Sequence, residues 1–152
     1  MHVRSLAGSG YTLLEILLVI ILIGLLTAIA IPSYSGYVDR ANQARAVADI
    51  GTIALHLDRW RLNTGVYPPD LATAGLDGSI DPWGNPYVYL NIATATIGEV
   101  RKDGNLVPLN TDFDLYSRGK DGASQPPLTA QVSRDDILRA NNGGYIGRGE
   151  DY

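Results

Sequence analysis

The sequence predicts an α+β protein in which one long N-terminal helix packs against a small antiparallel β-sheet. Two observations predict this fold class. An apolar run followed by an amphipathic stripe extends to about Asn63, and short segments rich in β-branched and aromatic residues come after it. Connections that contain glycine and proline separate these short segments, which is typical of antiparallel strands.

The apolar run from Leu13 to Ile31 is long enough to cross a membrane. Its length is close to the roughly 20 residues that a helix needs to span the hydrocarbon core of a bilayer. Glu15 is the charged residue inside this run, and a carboxylate deep in a membrane costs about 2.5 to 3.5 kcal/mol. Glu15 therefore indicates a functional partner for its charge, the alternative being a glutamate at the membrane interface.

The residues before Tyr11 have the character of a leader peptide. They carry Arg4 and end in Gly8-Ser9-Gly10, and no small-residue cleavage site follows the apolar run cleanly. Together with that run, Gly10-Tyr11-Thr12-Leu13-Leu14-Glu15 resembles the type IV prepilin signal. The resemblance implies a leader at residues 1–10, cleavage by a prepilin peptidase between Gly10 and Tyr11, and N-methylation of Tyr11. The apolar helix then stays on the product.

Tyr11, Glu15 and Pro32 are the residues expected to serve assembly. A cationic amine at Tyr11 can neutralise the Glu15 carboxylate of an adjacent subunit, which turns two buried charges into a pair. Pro32 lies where pilins usually carry a helix-kinking proline, so we expect a kink there and not the end of the helix. Residues 11–32 are accordingly predicted to form a transmembrane and filament-core helix, and residues 33–152 a periplasmic domain.

The composition argues against two classes of function. The formal net charge is −4, and losing Arg4 with the leader makes it more negative. Nucleic acid is therefore not expected as the main partner, because phosphate binding needs a clustered Lys/Arg surface. The chain has no cysteine, no Gly-x-Ser-x-Gly motif and no phosphate loop, so no enzyme activity is predicted.

The helix is predicted to resume after Pro32 and to end near Asn63, with Gly65 as its C-terminal cap. An apolar stripe with helical spacing supports this prediction. The stripe consists of Ala46, Ile50, Ile53, Leu57 and Trp60. We expect it to pack against the sheet, and we expect His56 at the surface.

Several shorter elements are predicted after the helix. A structured loop is expected over residues 64–86, followed by strands at Tyr87–Ile92 and Phe113–Ser117. The Asp-Gly pair at 103–104 lies between two apolar segments, which predicts a hairpin over residues 97–109. Ser133 is expected to cap a short helix with Asp135 and Asp136 in its first turn. Residues 145–152 form a tail whose docking is left open.

Three later segments narrow the resemblance. Asp81–Tyr87 and Phe113–Gly122 look like signature segments of the G-type major pseudopilin of type II secretion systems, and Thr64–Pro68 is similar to the loop after that family's helix. The resemblance implies a membrane-stored subunit, in the bacterial inner membrane, that polymerises with its own copies into a periplasmic filament driving protein export. It also implies a prepilin peptidase, an inner-membrane assembly platform and minor pseudopilins as partners. The alternative explanation for residues such as Trp83 is that they serve packing or turns within the domain.

Two other functions stay open. A type IV pilus subunit for adhesion, motility or DNA uptake shares the anchor, but it lacks the later segments and usually carries a C-terminal cysteine pair. A membrane-tethered ligand-binding domain would keep the anchor and would not require Glu15.

The resemblance further implies a calcium site in the loop after the last predicted strand. Members of the family hold Ca²⁺ through backbone carbonyls and Asp side chains, and such hard oxygen ligands suit this ion. The matching residues are Asp121, Asp135 and Asp136, with a backbone carbonyl near Arg118. A loop without disulfides also needs some other staple. The alternative is that Asp121 lies in a turn and that the other two cap a helix.

Overall fold

A computed structural model describes residues 10–152, except for the side chains of Pro32 and Ser33. Helix α1 is followed by four strands in one antiparallel sheet of order β1-β2-β3-β4. The elements are α1 (Leu13–Thr64), β1 (Val88–Asn91), β2 (Phe113–Ser117), β3 (Ile137–Ala140) and β4 (Tyr145–Arg148). Short 3₁₀ helices lie at Gln131–Ser133, Asn141–Gly143 and Gly149–Asp151. The predicted α+β class is confirmed.

Helix α1 continues through Pro32 and ends where the sequence predicts. Gly65 follows its last residue with a φ of 85°, and its N–H donates to the Arg61 carbonyl at 2.8 Å. A glycine in this left-handed conformation is the usual way to end a helix, because it carries no Cβ. The chain divides into two compact units between Asp39 and Arg40, so α1 contributes to both of them.

The predicted stripe packs against the sheet within the second unit, as expected. Ile50 and Leu57 are fully buried in one cluster with Phe113, Leu115 and Ile137. These three strand residues share the helix-facing side of the sheet because successive strand side chains point to opposite faces. Trp60 lies at the edge of the cluster, half-buried, and His56 is exposed.

The opposite face of the sheet is covered as well. Leu138 and Ala140 of β3 form a second buried cluster with Leu109 and Leu128, which belong to the long connections on either side of β2. All four residues of β3 are therefore buried, although the strand is only four residues long. The connections before and after β2 act as the cover of this outer face.

The predicted hairpin over residues 97–109 is wrong. A two-residue turn is present, in which Asp103 and Leu106 exchange backbone hydrogen bonds of 3.1 and 2.8 Å. No strand flanks it in the described chain, because Lys102 pairs with the later connection: its N–H donates to Pro126 and its carbonyl accepts from Leu128. Lys102 thus pairs with a segment that is distant in sequence and not with the second arm of the predicted hairpin.

The helix predicted from Ser133 is also wrong. Ser133 ends a 3₁₀ turn, and its hydroxyl bonds to Gln125 and caps no helix. Asp136 directly precedes β3, which pairs with β2 on one side and with β4 on the other. Within residues 145–152, whose docking the sequence leaves open, Tyr145–Arg148 form the edge strand β4, and Ile146 packs against the main core.

Two leucines on α1 provide a test of this packing. Leu57 is fully buried and Leu55 is 62% exposed, two residues away on the same helix. We expect Leu57→Ala to lower the free energy of unfolding by about 2 to 5 kcal/mol, because it leaves a cavity. Leu55→Ala should change it by about 0.5 kcal/mol or less. Urea unfolding followed by tryptophan fluorescence measures both, and equal losses would contradict the observed helix face.

Candidate functional site

The N-terminal part of α1 presents apolar side chains all round. It is long and apolar enough to cross a membrane, and none of its most apolar segment is buried within the chain. Exposure of its large apolar residues runs from 46% at Val19 to 84% at Leu13. The Thr27 hydroxyl donates to the carbonyls of Ile23 and Gly24, at 2.9 and 3.0 Å, so this polar group needs no outside partner.

Glu15 lies in the first turn of α1, near the predicted new N-terminus. Its N–H donates to Thr12 Oγ1 at 3.2 Å, which is half of a capping box. The carboxylate makes no ion pair with any residue that the structure describes, and Tyr11 is 81% exposed. Both groups are therefore accessible to another molecule.

The leader peptide predicted at residues 1–10 falls, except for Gly10, on residues 1–9, which lie outside the described part of the chain. Gly10, the residue before the predicted cleavage point, is described and exposed. The backbone at Pro32 is helical.

The two later signature segments are brought together by hydrogen bonds. The Ser117 hydroxyl donates to Asp81 Oδ2, and Asp81 Oδ1 accepts from the N–H groups of Trp83 and Asn85 at 3.0 and 2.8 Å. The Asn85 side chain in turn donates to the Gly119 carbonyl at 3.1 Å. Because Asp81 and Ser117 are buried, these motif residues have a structural role: they fix the turn before β1 against the end of β2.

The three carboxylates predicted as calcium ligands take different partners. Asp121 Oδ1 accepts the Ala123 N–H at 2.8 Å, as the turn alternative predicts. Asp135 Oδ2 accepts the N–H groups of Lys120 and Asp121 at 2.9 and 3.3 Å. Asp136 is fully buried and forms an ion pair with Arg101, at 2.7 Å between Oδ2 and Nη2.

In the described chain no three acidic or histidine side chains are grouped to hold a metal, whereas Ca²⁺ needs six to eight oxygen ligands. A divalent ion on Asp136 would also lie close to the Arg101 guanidinium and be repelled by it. Burial raises the pKa of Asp136, with the Ser124 hydrogen bond and the Arg101 charge acting in the opposite direction.

Arg101 and Ser124 are the residues at this site that the sequence did not indicate. Arg101 follows Val100 at the end of a predicted strand, where an arginine side chain normally reaches solvent. No local pattern distinguishes it from the exposed arginines of the chain. Its burial depends on a carboxylate 35 residues later in the sequence.

The apolar anchor-like segment, the amphipathic continuation of the same helix and the four-stranded antiparallel sheet define a type IV pilin-like protein. Its sequence is 34% identical over 135 residues to the type II secretion system core protein G of Pseudomonas aeruginosa, covering 75% of this chain and 84% of the relative. The chain belongs to the family of type II secretion system core protein G. The corresponding protein of Escherichia coli is 34% identical over 134 residues, with coverage of 74% and 82%.

More distant likenesses extend to the pilins. The type IV major pilin protein PilE of Neisseria gonorrhoeae is 27% identical over 149 residues, covering 92% of this chain and 87% of the relative. The crystal structure of the major pseudopilin from the type 2 secretion system of enterohaemorrhagic Escherichia coli has a TM-score of 0.44 and 22% identity, covering 68% of this chain and 90% of that one. No protein-family model matches the chain.

Substitution of Gly119 tests the close contact between Gly119 and Asp135 in the connection after β2. Its φ is 64°, and a Cβ there would lie 2.6 Å from the Asp135 carbonyl oxygen. Gly78 has a similar φ of 74°, with open space around it. We expect Gly78→Ala to cost about 1 to 2 kcal/mol from backbone strain, and Gly119→Ala to cost about 3 kcal/mol or more because overpacking adds to it. Chemical denaturation measures both losses, and similar values would argue against the observed contact.

Proposed function

We propose that this chain is a structural subunit of a type II secretion filament, stored in a membrane and polymerised with its own copies. Membership of the core protein G family supports this proposal, and the observation that carries it is the apolar surface of α1. A helix that is hydrophobic all round is stable in a bilayer or among other helices. The two settings correspond to the stored and the assembled subunit.

The pairing of Tyr11 with Glu15 gives this assembly its electrostatic driving force. Cleavage after Gly10 creates an amine four residues before the Glu15 carboxylate, and N-methylation of Tyr11 leaves its positive charge in place. Within one chain the Glu15 carboxylate is exposed. The amine of one subunit against the carboxylate of the next removes the cost of two separate charges in apolar surroundings.

The proposed setting follows from this mechanism. The chain is anchored by one helix in the bacterial inner membrane, with its β-sheet domain in the periplasm, and it has no catalytic role. A prepilin peptidase removes the leader, an inner-membrane assembly platform adds the subunit to the filament, and minor pseudopilins form the filament tip. The likeness to PilE supports a surface type IV pilus subunit as the second candidate, at a lower identity of 27%.

Processing is the first test. Intact-mass analysis of the protein extracted from membranes should give a chain that begins at Tyr11 and carries one added methyl group. Gly10→Ala should accumulate with its leader attached, because the peptidase recognises the glycine before the cut. Gly8→Ala is the control and should be processed normally. A mature chain that begins elsewhere, or normal processing of Gly10→Ala, would contradict the proposal.

Glu15→Gln separates charge pairing from helix capping. Glutamine serves a capping box as well as glutamate does, so the helix should form and insert. The variant lacks the charge that the neighbouring amine needs, and we expect it to accumulate as membrane monomer with no filaments on electron microscopy of sheared material.

Thr27→Val is the matched control for this test. It also changes a polar residue in the apolar segment, but the Thr27 hydroxyl is bonded within its own helix, so we expect normal assembly. Filaments of Glu15→Gln at wild-type abundance would show that the charge is dispensable.

A further inference from the structure

Arg101 is a cation buried inside the domain, next to a fully buried carboxylate. Its side chain is 2% exposed and that of Asp136 is 0% exposed. Arginine is almost never fully buried unless it is paired. A buried guanidinium on a connection between elements therefore calls for a structural explanation.

The partners of Arg101 come mainly from the connection between β2 and β3. Nη2 donates to Asp136 Oδ2 at 2.7 Å, while Nη1 donates to Ser124 Oγ at 2.6 Å and to the Gln125 carbonyl at 2.7 Å. The Ser124 hydroxyl also donates to Asp136 Oδ2 at 2.6 Å and so links the two charged groups, while Arg101 Nε and Asp136 Oδ1 have no hydrogen-bond partner among the described residues. The guanidinium carbon lies 4.4 Å from the centre of the Tyr116 ring, a favourable cation–π distance.

The backbone of Arg101 is fixed to the sheet. Its N–H donates to Asp114 Oδ2 at 2.7 Å, and its carbonyl accepts from the Leu109 N–H at 2.8 Å. Asp114 lies on β2, so the guanidinium is held at a set position relative to the sheet. The later connection then folds around a preformed positive charge.

That connection has few apolar residues to hold it. Between residues 118 and 136, all of which the structure describes, Leu128 is the large apolar side chain that is fully buried. Two backbone hydrogen bonds to Lys102, of 3.1 and 2.9 Å, add to it. A polar staple is therefore needed, and the contacts of Arg101 supply one within the segment, at residues 124 and 125, and at its C-terminal end, at residue 136.

The oxygen atoms around Arg101 are of the types that calcium uses: a carboxylate, a hydroxyl and a main-chain carbonyl. Here they surround a guanidinium. The resemblance implies a calcium site in this same connection, but Asp136 is paired with Arg101 and in the described chain no three acidic or histidine side chains are grouped to hold a metal. A cation therefore holds the loop, as a calcium ion would, but this cation is the guanidinium group of Arg101.

We propose that the Arg101 guanidinium takes the place of a metal ion as the cation that holds the connection from Gly119 to Asp136 against the sheet. The domain then folds, and keeps its stability, without calcium. This inference concerns the isolated subunit and does not depend on filament assembly.

The first test uses the full chain in a non-ionic detergent. Its melting temperature is measured by tryptophan fluorescence, in millimolar calcium chloride and in excess EGTA. Both tryptophans, Trp60 and Trp83, belong to the unit that begins at Arg40, so the signal reports on the domain. We expect the same melting temperature in both buffers. A rise with calcium would overturn the proposal, because a ligand that binds the folded state stabilises it.

The second test removes the guanidinium. Arg101→Gln leaves Asp136 buried without its counter-charge, so the melting temperature should fall by about 10 °C or more. Arg45→Gln is the matched control: Arg45 pairs with Asp49 at 3.8 Å, but its side chain is 71% exposed. Its loss should shift the melting temperature by about 2 °C or less. Equal shifts for the two variants would overturn the proposal.

Limited trypsin digestion supplies a local readout well below the melting temperature. Lys120 and Arg134 are exposed residues within the connection and are sites for this protease. In Arg101→Gln, cleavage after both residues should be at least about tenfold faster than in wild type, because local opening becomes easier. Unchanged cleavage at these sites would overturn the proposal. Calcium should not slow cleavage of the wild type.

Arg101→Lys keeps the proposal testable if Arg101→Gln does not fold. Lysine retains the charge but cannot form the guanidinium fork that reaches several oxygen atoms at once. We expect this variant to fold, to melt below wild type and to show no response to calcium. A calcium-dependent melting temperature in this variant, or wild-type stability, would argue against the role of the guanidinium.

Discussion

One helix has to satisfy two different surroundings, and the rest of the molecule follows from this constraint. The segment from Leu13 to Ile31 is apolar on every side, so it needs lipid or other helices around it. Further along, only one stripe of the same helix is apolar, with Ile50 and Leu57 at its centre, and the sheet covers that stripe. The change from all-round to one-sided hydrophobicity separates the part that meets other molecules from the part that carries the domain.

The sheet must be covered on both sides, because both of its faces are apolar. Helix α1 covers one face, and no second helix of comparable length is present in the described chain to cover the other. The long connections before and after β2 cover it instead, with Leu109 and Leu128 as their apolar contacts. Such connections expose many backbone groups, so polar interactions must hold them in place. The Arg101–Asp136 pair and the hydrogen bonds of Asp81 and Asn85 do this.

Sequence motifs and ligand sites have to be distinguished in this protein. Asp81, Asn85 and Ser117 belong to segments that mark the family, and the structure uses them to join two turns by hydrogen bonds. Asp135 likewise accepts backbone N–H groups. A carboxylate that satisfies backbone donors has fewer free lone pairs for a metal ion. Hydrogen bonds within the folded domain therefore account for these polar motif residues.

The sequence by itself determined the helix, its end at Gly65, strands β1 and β2 and an apolar segment long enough to span a membrane, because these depend on local periodicity, capping and apolar length. Only the tertiary structure decided the course of the chain after Ser117. The sequence around Ile137 is compatible with a capped helix, and burial between two neighbouring strands made it β3. The burial of Arg101 was decided in the same way, since its partner Asp136 is distant in sequence and local pattern carries no information about such a contact.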